Sequence, residues 1–302
     1  MKHSWTLTKV RVRMALRSRP FIFFSMVMPL GFLVGYNVIF GRGVPEAVPF
    51  LLGAVLALTV MGSFWGLSMQ LVQYREAGIL RRFRIAPVDA GALLGSSLLA
   101  NYFLVLPTVV VEFLISRWIF GMHDWGNILQ VFAMVSIGAA TFSSFGLIVA
   151  SVTNTMQETQ VINNVIWSIF LFVSGATIPL GVLPHWLQRV SLFLPATYLV
   201  GGLQGAMLGR ATWNEIGGDV IALAVGLGVA FGISRALFRW EPESRISARS
   251  KAWILAAMVP FLLLGVWENL YGTRLIHLRE NFQSLGERGD APEAPDAPDP
   301  TK

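Results

Sequence analysis

Cysteine is absent from the chain, and lysine occurs only four times, at Lys2, Lys9, Lys251 and Lys302. The first absence excludes a disulfide, a thiol nucleophile and a thiolate metal ligand. The second excludes a phosphate-binding P-loop, because none of the four lysines follows a glycine. Charge is scarce too: 13% of residues are Asp, Glu, Lys or Arg, against about 25% in a soluble domain. The four histidines, His3, His123, His185 and His277, lack the i, i+4 pairing that holds zinc, and no H-E-x-x-H, G-x-S-x-G or S-x-x-K occurs. No catalytic set and no metal site are therefore expected.

What remains is apolar, with 54% hydrophobic residues and a mean hydropathy of +0.61. Residues 21 to 40 form an uncharged run of 20, the length a helix needs to cross about 30 Å of hydrocarbon. Lipid cannot satisfy a free backbone N–H or C=O, so such runs must be helical. Six spans are expected near residues 21–40, 48–72, 92–115, 128–151, 161–183 and 217–237, giving an all-α polytopic membrane protein. A seventh, expected near 252–270, has an apolar run of only 16 residues from Ala252 to Trp267, interrupted by Pro260. A peripheral hairpin is the alternative there.

Lys and Arg gather in alternate loops, which sets orientation by the positive-inside rule. Lys2, Lys9, Arg11, Arg13, Arg17 and Arg19 precede the first span, Arg75, Arg81, Arg82 and Arg84 follow the second, and Arg235, Arg239, Arg245, Arg249 and Lys251 follow the sixth. The opposite loops hold Arg42, Arg117, Arg189 and Arg210. The amino terminus is expected in the cytoplasm. The net charge of +6 thus reports topology, and nucleic acid is not an expected partner.

Within residues 1–20, Leu7, Val10 and Met14 fall together on a helical wheel beside Lys9, Arg13 and Arg17, as in a helix lying in the headgroup layer. A plain basic flank is the alternative. Residues 273–302 turn acidic and rich in Pro and Ala, a composition expected to stay disordered. Ionisable groups inside spans are few: Glu112, with Arg117 nearby, and Glu268 are both expected to reach the interface. Gly31 with Gly35, Gly62 with Gly66 and Gly228 with Gly232 are candidates for close helix packing.

The segment after the second span, Q-Y-R-E-A-G-I-L-R-R-F-R-I-A-P-V, reads as a short amphipathic helix ended by Pro87, with Ile79, Leu80 and Phe83 on one face. Contact with lipid headgroups alone would account for its charge. The order Arg75, Glu76, Gly78, Leu80, Arg84, Pro87 resembles the corresponding loop of ABC transporter permeases of the ABC-2, or export, type. A second match is Ser174, Gly175, Ile178, Pro179, Leu180, Leu183, Pro184, Trp186 and Leu187, followed by Pro195, Thr197 and Tyr198. This resembles the family's signature for the end of the fifth span and its re-entrant outer helices. Looser matches at Pro20, Phe21, Phe24, Met28, Pro29, Gln157, Asn163 and Asn164 extend the resemblance over about residues 1–240. Ile79 and Arg81 stand where the family often has Thr and Glu, and Gln204 where it often has Arg.

The resemblance implies a half-transporter that pairs with a second permease, identical or not, and with cytoplasmic ATPase subunits that hold ATP and magnesium. This chain itself needs no cofactor. The location implied is the cell membrane, with a bacterial inner membrane expected. By analogy Arg75, Glu76, Gly78, Leu80, Phe83, Arg84 and Pro87 couple to the ATPase. The substrate path is expected along Phe64, Trp65 and Met69 of the second span and Asn164, Trp167, Ser168 and Leu171 of the fifth, a lining suited to an amphipathic cargo; the resemblance implies a lipid-like, polysaccharide or drug-like one. The outer gate is expected at Ser174, Gly175, Pro179, Pro184, Trp186, Pro195 and Tyr198; two interfacial helices with an aromatic belt are the alternative. The domains implied are an amphipathic helix over 1–20, a six-span domain over 21–240, an added span over 241–272 and a tail over 273–302. An ion-coupled secondary transporter, or a membrane enzyme without a recognisable motif, are the competing readings, although no inverted repeat is found.

Overall fold

The computed structural model describes residues 8–9, 12–13, 17, 26–41, 47–80, 89–209, 211–240, 252–272, 274–276 and 278. Helix α1 (Met28–Tyr36) runs into a π-helical turn, Asn37–Gly41. Next come α2 (Val48–Glu76), α3 (Ala90–Trp118), α4 (Ile128–Val152) and α5 (Met156–Val173). A 3-10 turn, Leu180–Val182, leads to α6 (His185–Ser191) and α7 (Pro195–Met207), and then to α8 (Trp213–Leu237) and α9 (Ala252–Tyr271). No strand occurs among the described residues.

Side chains mark four of the helix starts. Asp89, Asn127 and Thr155 each accept a backbone N–H of the first turn of α3, α4 and α5. Thr212 and Glu215 close a reciprocal capping box on α8. Among the described residues five helices, α2, α3, α4, α8 and α9, are long and apolar enough to cross a membrane. Helix α9 continues through Pro260 for 20 residues, or about 30 Å, where a surface hairpin was the alternative. Helix α5 misses that test because its first half carries Gln157, Glu158, Gln160, Asn163 and Asn164.

Burial divides the bundle into centre and rim. In the most apolar stretch of each helix, 83% of residues are buried in α2 and 72% in α4, but only 22% in α8 and 17% in α9. Phe64, Phe142 and Phe170 meet edge to face where α2, α4 and α5 converge. Helices α2 and α4 approach so closely that a Cβ on Gly146 would collide with the Phe64 carbonyl oxygen. The spaced glycine pairs do something else: at Gly31, Gly35, Gly62, Gly66, Gly228 and Gly232 an added Cβ would meet nothing within 4 Å among the described residues. They make no close contact among the described residues, and single glycines do that work.

Of the two carboxylates singled out in the sequence, Glu112 differs from expectation. Glu112 does not reach the interface: its face of α3 turns to α2, it is fully buried, and Thr59 Oγ1 donates to its Oε1 at 2.5 Å. Arg117 turns away, donating to the Met122 carbonyl at 2.5 Å and lying 5.9 Å from the Trp125 ring centre. Glu268 is mostly buried and sits 3.6 Å from Arg274 Nε.

Candidate functional site

One end of the bundle, the basic face, gathers Arg75 and Arg239 around the joint between α4 and α5, with Arg235 paired to Asp89 at the start of α3. Helix α2 runs one turn further than its apolar pattern, so Arg75 and Glu76 belong to its last turn and not to the loop. Arg75 is buried; its Nη1 donates to the Ala150 carbonyl at 2.7 Å and its Nη2 to the Thr153 carbonyl at 2.6 Å. Arg239, just past α8, donates through Nη2 to the carbonyls of Thr153 at 2.7 Å and Ser151 at 3.1 Å, and through Nη1 to Asn154 Oδ1 at 3.1 Å. Two guanidinium groups thus cap the carbonyl end of α4, where the helix dipole favours positive charge. Burial lowers the Arg239 guanidinium below its ordinary value, and Glu158 opposes that shift.

The start of α5 is built with the opposite sign. Glu76 Oε1 accepts the Met156 N–H at 2.8 Å, and Glu158 Oε2 accepts the Asn154 N–H at 2.7 Å. Thr159 Oγ1 donates to Thr153 Oγ1 at 2.8 Å across the bend. Carboxylates beside the amide end of a helix are favoured by its dipole. The last turn of α2 therefore holds both sides of the α4–α5 joint, one through Arg75 and the other through Glu76.

Gly78, at φ +69°, ends α2 in the left-handed region, and its N–H donates to the Arg75 carbonyl at 3.0 Å. The uninterrupted helix expected over 73–88 is therefore broken at Gly78. Leu80 is buried among Leu67, Leu71, Leu93, Leu94 and Leu147. Phe83, Arg84 and Pro87 lie outside the described residues. Of the seven residues assigned to coupling, Arg75 and Leu80 point into the bundle, Glu76 reaches α5, and Gly78 makes the turn. Arg239 and the joint residues Thr153 and Asn154 were not anticipated; the Thr155-x-x-Glu158 capping pattern between two apolar runs was the available signal.

Along α2 and α5 the structure separates the expected path residues. Phe64 lies in the core, 1% exposed, so it is not on the open surface. Trp65 and Met69 are half-buried at the edge of that surface, beside Gly62 and Gly66, as are Trp167 and Leu171 on α5. Asn163 is fully buried and donates to Ser68 Oγ at 2.6 Å, tying α5 to α2. Asn164 and Ser168 are exposed, in a row with Gln157 and Gln160 at helical spacing. A row of three amides on a lipid-length helix needs partners or water, because each costs several kcal/mol (roughly 2–7) when buried unpaired.

At the far face, Ser174 Oγ accepts the Ala176 N–H at 3.3 Å, and Gly175 takes φ +91° where α5 ends. Pro179 and Pro184 stand immediately before the 3-10 turn and α6. Helices α6 and α7 meet at 96°. Pro195 and Tyr198 are buried in α7, with the Tyr198 hydroxyl donating to the Leu192 carbonyl at 2.8 Å, whereas Trp186 is exposed on α6. The Asn127 N–H donates to the Ala206 carbonyl at 2.8 Å, which puts the end of α7 beside the start of α4. Leu199 packs on Gly138, three turns deeper along α4. Helix α7 therefore begins inside the bundle and returns to the far face, as a re-entrant element does.

These features define a polytopic, all-α membrane protein: lipid-length helices, one polar-faced helix beside a buried joint, and a re-entrant pair. Residues 2–208 match the family described as ABC-2 type transporter, and the chain belongs to that family. This is the family that the loop and outer segments resembled. The chain is 26% identical over 160 residues to the linearmycin resistance permease protein LnrN of Bacillus subtilis, covering 53% of this chain and 41% of that protein. It is 23% identical over 227 residues to the probable doxorubicin resistance ABC transporter permease protein DrrC of Mycobacterium tuberculosis, covering 68% of this chain and 80% of that protein. It is 22% identical over 214 residues to the putative transport permease YvfS of Bacillus subtilis, covering 68% and 86%. Membership makes the chain a transport subunit of the kind that works with ABC ATPase subunits.

Proposed function

We propose that this chain is the permease subunit of an ATP-driven exporter, powered by a separate ATPase that docks on the basic face through residues 73–89 and holds ATP and magnesium. The basic face is then cytoplasmic, the amino terminus lies on that side, and the protein sits in the cell membrane of a bacterium. Residues 21–240 form the transport domain, with 241–272 an added span. A second permease, the same or different, covers the open α2–α5 face, where Gly62 and Gly66 leave room for close approach. The cargo is amphipathic and drug-like, lipid-like or polysaccharide; the resistance named for LnrN and DrrC favours a drug-like one.

The joint held by Arg75 and Glu76 carries this reading. A force applied to the end of α2 reaches α5 through two sets of short hydrogen bonds, without passing through a flexible loop. Rigid elements joined this way convert a push at one face into movement along the bundle. Phe83→Asp is expected to abolish co-purification of the ATPase while leaving the permease folded; unchanged recovery of the ATPase would remove the loop as its docking site. Glu112→Gln separates this mechanism from ion coupling, because it keeps an acceptor for Thr59 and deletes any proton carried. Transport by the reconstituted complex should stay within about twofold of wild type, whereas an ion-coupled carrier relying on Glu112 would lose it.

A further inference from the structure

Helix α9 lies antiparallel to α8, with Phe261 against Gly226 at mid-length and Arg274 paired to Asp219 at the far face. Its inner side packs on the re-entrant pair. Phe193, between α6 and α7, lies against Gly265, and Asn269 Nδ2 donates to the Arg189 carbonyl of α6 at 3.3 Å. Beyond α9, Arg274 is mostly buried and touches three helices at once. It pairs with Asp219 of α8, lies 3.6 Å from Glu268 of α9, and stacks 4.3 Å over the Tyr198 ring of α7. Phe261 flanks the same tyrosine at 6.0 Å, and Leu278 is buried against Gly201 one turn further along α7. A buried cation that stacks on an aromatic ring while bonded to a carboxylate is held more firmly than an exposed pair.

We infer that α9 with Arg274 and Leu278 forms a strap over the re-entrant pair, with Arg274 as the positioning residue that holds α7 shut, and that α7 must part from the strap in each transport cycle. The inference rests on α6–α7 being the outer gate. Nothing in the α2–α5 joint requires it, so the strap is a separate control on the far face. Movements of such elements set the pace of many turnover cycles.

The absence of cysteine makes the test clean. In the full chain, reconstituted with its ATPase, a Gly201→Cys and Leu278→Cys pair should form a disulfide on oxidation, because a Cβ at 201 would sit 2.9 Å from Leu278 Cδ2. The oxidised complex should transport at least about tenfold more slowly than the same sample after reduction. Separately, in Gly201→Cys alone, Arg274→Ala should raise the rate of labelling by a membrane-impermeant maleimide added opposite the ATPase by about tenfold. Arg274→Lys, which keeps the charge, serves if the alanine variant does not fold, and should show a smaller rise in the same direction. Unchanged labelling together with full transport in the oxidised form overturns the strap. Raised labelling with full transport in the oxidised form instead overturns the gate role of α6–α7, and the inference falls with it.

Discussion

Arg75→Ala is expected to reduce transport by the reconstituted complex to below about a tenth of wild type while the ATPase still co-purifies and hydrolyses ATP. The side chain is 3% exposed and directed at the bundle, so it offers little to a docked partner. What it supplies is internal. Removing it deletes the two bonds that Arg75 gives to the end of α4; Thr153 keeps the bond from Arg239, but the Ala150 carbonyl loses its only side-chain donor among the described contacts. A hydrogen bond to a charged group contributes about 1.5–3 kcal/mol, so a loss of stability of that order is expected as well. The carboxylates of Glu76 and Glu158 act on the same guanidinium, and its loss leaves them without that counter-charge. Arg75→Lys restores a point charge but not a fork that spans two carbonyls, and should recover stability better than transport. Loss of the ATPase from Arg75→Ala would mean that the residue docks the partner, and the mechanical role would be wrong.

The contrast between Arg75 and the rest of its segment shows how far a linear pattern reaches. Span positions were legible because lipid leaves a chain few choices: apolar stretches of sufficient length become helices, and expected and observed ends of α3 and α4 agree within about three residues. The partners of Arg75 lie 75 and 78 residues away in sequence, and nothing in the order Arg75, Glu76, Gly78 announces them. An arginine after an apolar run reads as loop charge until the neighbouring helix end is known to sit beside it. Glu112 failed for the same reason. Its distance from the end of α3 suggested the interface, but the rotation of α3 against Thr59 put it inside. The glycine pairs show the reverse, since regular spacing at Gly31 and Gly35 or Gly62 and Gly66 carries no contact among the described residues, while the isolated Gly146 carries a tight one.

Asn163 and Asn164 are the sharpest case, and they supply the second large effect. Adjacent on α5, they point about 100° apart: Asn163 inward to Ser68, Asn164 outward into the polar row with Gln157, Gln160 and Ser168. Asn163→Leu should destabilise the chain by about 1–3 kcal/mol, because a buried Ser68 hydroxyl loses its donor, and should lower transport only as far as folding falls. Asn164→Leu should behave oppositely. Its thermal unfolding should stay within about 0.5 kcal/mol of wild type, since the side chain has no buried contact to lose. Transport should nevertheless drop about tenfold, or shift toward more apolar cargo, if the row lines a path that polar groups of the substrate share. Lipid on that face would produce a different pair of results. An amide in hydrocarbon is costly, so leucine would then raise stability and leave transport untouched. Measuring both quantities on Asn163→Leu and Asn164→Leu in one preparation therefore decides whether the open side of α5 is a transport surface or a lipid-facing one.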